Sequence, residues 1–137
     1  MNSQPLYQSL WADHKTLLTE RRVLLAGLLA HVSIESAQRF LDLRAIADHA
    51  VEEQEAIGVL IGDELVRVAG FKWVTMDDDY GSEPVVAHPH KMAVIAPLSA
   101  LTNRFEDGDT PFDIRDLIEN ARAIVEEVDA KSRDFEE

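Results

Sequence analysis

Four carboxylates fall within seven residues at Asp77, Asp78, Asp79 and Glu83, with Tyr80 among them. Oxygen ligands at that density are what a hard cation such as Ca²⁺ or Mg²⁺ takes. The spacing misses the EF-hand pattern: counted from Asp77, Gly81 is fifth and His88 is twelfth, where that loop needs Gly sixth and Glu twelfth. Two other readings stand beside a metal. Asp side chains build turns by bonding backbone amides two residues on. Exposed acids beside Trp73 and Tyr80 also compose a protein interface of aromatic anchors ringed by charge.

His88 and His90 form an H-x-H pair, which on a strand would aim two imidazoles at one metal. Pro89 between them favours a turn instead, and no third ligand can be assigned. No metal or cofactor is expected. His14 and His49 fall on or beside apolar helical stripes and read as hydrogen-bonded histidines at the core edge. Arg104 and Glu106 are spaced to fasten a short helix as an ion pair, or to line a pocket with Tyr80 and Glu83. The chain lacks G-x-S-x-G, H-E-x-x-H, G-x-x-x-x-G-K-[ST] and G-x-G-x-x-G, so nothing pairs a nucleophile with a base.

The elements that must position these groups follow from periodicity. Leu10, His14, Leu17, Leu18, Leu24, Leu25 and Leu28 mark one helical stripe over residues 6–30, with Pro5 suited to its first turn. Ser33 is placed to cap a second helix from Ile34, with Glu35 in its first turn. A break near Asp42 is open; from Leu43 a continuous stripe predicts one helix to Ala69, stopped by Gly70. Gly58 and Gly62 lie four apart on it, each costing about 1 kcal/mol against Ala, which calls for a close packing partner.

Alternation over Phe71–Met76, the short run Val85–Ala87 opened by Pro84, and the apolar run Met92–Ala96 predict three strands, with turns at Asp77–Gly81 and His88–Lys91. Connections that short make an antiparallel meander. Pro97 opens a short helix through Phe105, and Asp113 caps a last amphipathic helix on Ile114, Leu117, Ile118, Ala121, Ile124, Val125 and Val128. The sum is one α+β domain, a small three-stranded antiparallel meander packed by four to five helices. Residues 1–53 form its helical N-terminal part, 54–120 its core, and 132–137 a polar tail expected to fray.

The core resembles a family of small bacterial domains of unknown function. The likeness rests on Gly58 and Gly62-Asp63, Gly70-Phe71-x-Trp73-Val74, Asp78, Tyr80-Gly81-x-Glu83, Pro97 and Arg104-x-Glu106-x-Gly108. It covers roughly residues 54–120. It implies an α+β fold and a cytoplasmic bacterial setting, and it implies no reaction.

Charge narrows the partners. Residues 1–50 hold five basic and five acidic residues, whereas residues 51–137 hold eight and 21, which supplies the whole net charge of −13. Phosphate contacts need clustered Lys and Arg, so nucleic acid and anionic membrane are not expected. No cysteine is present, which excludes disulfides and thiolate chemistry. Nor is there a stretch of ~18 apolar residues or a signal-like N-terminus, so a cytoplasmic protein is expected. The expected function is a non-enzymatic acidic binding protein, an inhibitor or immunity-type protein neutralising a basic protein partner. The alternatives are an accessory or homodimeric domain docked through the leucine-rich first helix, and a small-molecule-binding domain or enzyme.

Overall fold

The computed structural model describes residues 6–43, 46–47, 50–88, 93–107 and 113–135, with side chains placed through Phe105 and Glu126 in the last two helices. In chain order these form β1 (Leu6–Ser9), α1 (Ala12–Leu28), α2 (Ile34–Asp42), α3 (Val51–Ala69), β2 (Lys72–Asp78), β3 (Gly81–Ala87), β4 (Val94–Ile95), α4 (Pro97–Asp107) and α5 (Ile114–Phe135). The four strands make one antiparallel sheet in the order β1-β2-β3-β4. The α+β class and the meander of β2, β3 and β4 agree with the sequence.

The strand count does not: the sheet has four strands, not three. Leu6–Ser9 pairs with β2, Leu6 opposite Asp77 and Ser9 opposite Val74, where the sequence predicted the start of the first helix. Four residues carry too little periodicity to separate strand from helix, and the pairing partner lies 65 or more positions away. The helix predicted from Leu43 to Ala69 starts only at Val51, as α3. The break left open near Asp42 is present: α2 ends there, Leu43 caps it with its N–H on Arg39 O, and Leu43 is 72% exposed. Gln54, buried inside α3, reaches back to hold the Ala47 carbonyl at 3.0 Å, which fixes the connection. The last helix runs to Phe135, and nothing in KSRDF stops a helix.

Other local signals act as their chemistry requires. Ser33 Oγ accepts the Ser36 N–H at 3.1 Å, and Asp113 Oδ1 accepts that of Asp116 at 3.1 Å, satisfying helix starts. Gly70 ends α3 at φ 75°, the left-handed conformation that costs glycine nothing.

The centre of the molecule is α3 rather than the sheet. Ala56, Ile57, Val59, Ile61 and Leu65 are all fully buried, so this helix is apolar on more than one side. It packs against α1, α4, α5 and one face of the sheet. Each such Ile or Leu contributes roughly 1.5–3 kcal/mol by leaving water. The leucine-rich first helix spends its stripe here as well: Leu18, Leu25 and Leu29 are buried and Leu24 and Leu28 half-buried.

Candidate functional site

The β2–β3 hairpin carries the acidic cluster singled out in the sequence. Register pairs Asp78 with Gly81 and Asp77 with Ser82, which leaves Asp79 and Tyr80 as the two-residue turn. Gly81 has φ 129°, a conformation open to few other residues. Asp78 Oδ1 accepts the Tyr80 N–H at 2.8 Å, an Asx bond that fixes the tip. Tyr80 itself is 96% exposed. A shallow hollow of about 280 Å³ lies beside it, lined by Met76, Asp78, Tyr80 and Glu83 among others.

Glu83 sits at the base of the hairpin and is half-buried. Burial pushes its carboxyl above the ordinary carboxylate value; a bond from the Ser99 hydroxyl (3.4 Å) opposes this, while the charges of Asp78 and Glu55 add to it. The native state therefore holds the Glu83 proton to higher pH than the unfolded chain, whose carboxyl titrates near 4.5. Stability from this group is present below that value and is lost as pH rises through the folded pKa. Glu83→Gln should accordingly raise the melting temperature at pH 7 and gain less at roughly pH 4, since only the ionised form is penalised. Equal shifts at both pH values would show that burial of the charge is not what matters.

The remaining predicted residues divide. Asp77, Asp78, Asp79, Tyr80 and Glu83 share this hairpin; Trp73 does not join them at its surface. Its indole is half-buried and packs against both apolar clusters of the core. Its Nε1–H donates to Asp63 Oδ1 at 2.9 Å, and Arg22 clasps the same carboxylate with Nε at 2.9 Å and Nη2 at 2.8 Å. Trp73 is thus a structural tie between α1, α3 and β2, not the exposed anchor expected of it. Gly58 and Gly62 make the close approaches that their spacing implied. A methyl on Gly58 would stand 2.8 Å from the Pro97 carbonyl oxygen, and one on Gly62 would overlap the Trp73 ring. Arg104 is exposed on α4 rather than buried in a pocket with Tyr80 and Glu83. The Glu106 side chain, His49, Pro89 and His90 lie outside the described residues. His88 packs edge-on against Phe71 at 5.8 Å. Among the described residues no group of three or more His, Asp or Glu could hold a metal, and no helix is long and apolar enough to cross a membrane.

Two features escaped sequence reasoning. A groove of about 530 Å³ runs over the sheet face away from α3, floored by Val74, Ala87 and Val94 and edged by Tyr7, Lys72 and His88. Its β2 half was visible as alternation, but its β1 wall was read as helix. A second cleft of about 490 Å³ lies between α2, α3 and α5, where Arg67, Arg115 and Arg122 pair with Glu64, Glu35 and Glu119. No sequence signal joins three arginines from two distant helices.

Relatives add the fold and a family. A protein of Bacteroides thetaiotaomicron VPI-5482, known from a crystal structure at 1.50 Å resolution, matches with a TM-score of 0.76 at 18% identity. The match covers 88% of this chain and 48% of that one, so this chain spans about half its length, and at that identity the likeness is one of fold alone. No curated protein matches. Residues 33–116 match the family described as "Domain of unknown function (DUF3806)", a match that takes in Gly58, Gly62, Asp63, Trp73 and the whole acidic hairpin. With more than half its length inside that match, the chain belongs to the DUF3806 family.

Proposed function

We infer that this protein is a non-enzymatic acidic binding protein, of the inhibitor or immunity type, that neutralises a basic protein partner through the β2–β3 hairpin. Tyr80 carries the reading. A tyrosine ring 96% in water at a hairpin tip does nothing for the free fold, and it gains by being covered. Asp77, Asp78, Asp79 and Glu83 surround it, and no Lys or Arg occurs between Lys72 and Lys91 to offset them. That field accelerates encounter with a basic surface and repels an acidic one. The Asx bond from Asp78 holds the tip in one conformation, which lowers the ordering cost of binding.

Affinity capture from lysate of the native organism at low and moderate salt tests it. The wild-type protein should retain one basic protein stoichiometrically, and Asp78→Lys with Asp79→Lys should lose it. The double variant should lose no more than about 1–2 kcal/mol of stability, because Asp79 is exposed and Asp78 gives up one local Asx bond. A partner held equally by wild type and double variant would sink this reading.

A further inference from the structure

We propose that β1 is the seam of a homodimer in which two copies pair their β1 strands antiparallel, joining two four-stranded sheets into one of eight. β1 is the terminal strand of the sheet, so among the described residues one row of its backbone N–H and C=O groups faces no strand. Such an edge is a template for a further strand. The two ends of this sheet are unequal. β4 is two residues long, while β1 is four, all exposed, and it shows Leu6 at 62% and Tyr7 at 49% to water.

Charge selects the occupant. A chain of net −13 repels its own copy across most of its surface. Residues 6–12, LYQSLWA, hold no acidic or basic residue, so this is where two copies meet without like charges opposed. The strand itself also lacks the Lys, Pro or inward-pointing charge that blunts an edge. A basic partner, by contrast, finds nothing on β1 to attract it.

The geometry closes. A two-fold axis normal to the sheet keeps each face on its own side, so the groove floored by Val74, Ala87 and Val94 continues across the seam, with both Tyr7 rings on that face. Keeping the faces requires one β1 residue to oppose its own copy, and the middle of the strand makes that residue Tyr7 or Gln8. Leu6 pairs with Asp77, so the acidic tip lies beyond the N-terminal end of β1. Antiparallel pairing then sends the two tips to opposite ends of the eight-stranded sheet. Their repulsion is minimised and both hairpins stay open.

The absence of cysteine makes the test direct. Tyr7→Cys and Gln8→Cys each introduce a single thiol, and the one on the axis should oxidise to a covalent dimer, since opposed Cα atoms lie at roughly 4.5–5.5 Å. Ala26→Cys, exposed on α1, should not. Wild type should sediment as a dimer, and Leu6→Lys should sediment as a monomer with an unchanged circular dichroism spectrum. A wild type that is monomeric at every concentration overturns the proposal. So does a dimer that survives Leu6→Lys and cross-links through neither Tyr7→Cys nor Gln8→Cys. Capture of a basic partner depends on Asp78 and Asp79 rather than Leu6, so the two readings fail independently.

Discussion

Alanine at Gly58 or at Gly62 should destabilise the protein by about 2 kcal/mol, although alanine is the better helix former by about 1 kcal/mol. The reason differs between the two sites. At Gly58 the new methyl meets backbone, 2.8 Å from Pro97 O and 2.9 Å from Leu98 Cα, and backbone at a helix start cannot step aside cheaply. At Gly62 it meets the Trp73 ring, which the hydrogen bond to Asp63 and the contacts of two apolar clusters hold in place. For a domain of this size the loss is roughly a 6–10 °C fall in melting temperature. Thermal unfolding of the single variants checks it. Unchanged or raised melting temperatures would mean that α3 and α4 can separate without cost and that helix propensity governs both positions. Gly62→Ala in a Trp73→Phe background should lose less than the sum of the single changes, because the smaller ring leaves room for the methyl.

The glycine pair also shows what the sequence made legible. Two glycines four apart inside a charged helix cannot be explained by propensity, so a close approach could be inferred before its partners were known. Caps at Ser33 and Asp113, the stop at Gly70 and the acidic turn were readable for the same reason, since each depends on chemistry within three or four residues. What was not legible depends on distant pairing. β1 is a strand because β2 lies beside it, and Trp73 turns inward because Asp63 and Gly62 receive it. Within its own neighbourhood Trp73 looks like part of an aromatic and acidic surface. The sequence put Trp73 and Tyr80 together as aromatic anchors, and only the core shows that the first is consumed in folding. Of the residues singled out, those gathered at the hairpin tip are Asp77 to Tyr80, with Glu83 at their base.

The same dependence on distant partners makes Thr75 the polar residue whose loss should cost most. Its side chain is fully buried, and its Oγ1 accepts the Trp11 N–H at 2.9 Å and is hydrogen-bonded to His14 Nδ1 at 2.8 Å. One hydroxyl thus serves the backbone where β1 passes into α1 and a histidine that is itself buried under the stacked Trp11 ring. Thr75→Val keeps the shape and removes the oxygen. Both partners then lose their bond inside the protein, at about 1–3 kcal/mol for each unsatisfied group, so a total near 3 kcal/mol is expected. Thr75→Ser keeps the oxygen and gives up one methyl, about 1 kcal/mol. Denaturant unfolding should rank wild type, Ser and Val in that order. A purely packing role for Thr75 reverses the last two, because Val fills the site and Ser does not. Amide exchange locates the effect: in Thr75→Val the Trp11 N–H should lose its protection while the amides of α3 keep theirs, since the bond broken is the one that moors β1 and the start of α1 to β2. If β1 is the seam between two copies, Thr75→Val also weakens the dimer without touching its surface, because a strand must be held in its own sheet before it can extend another.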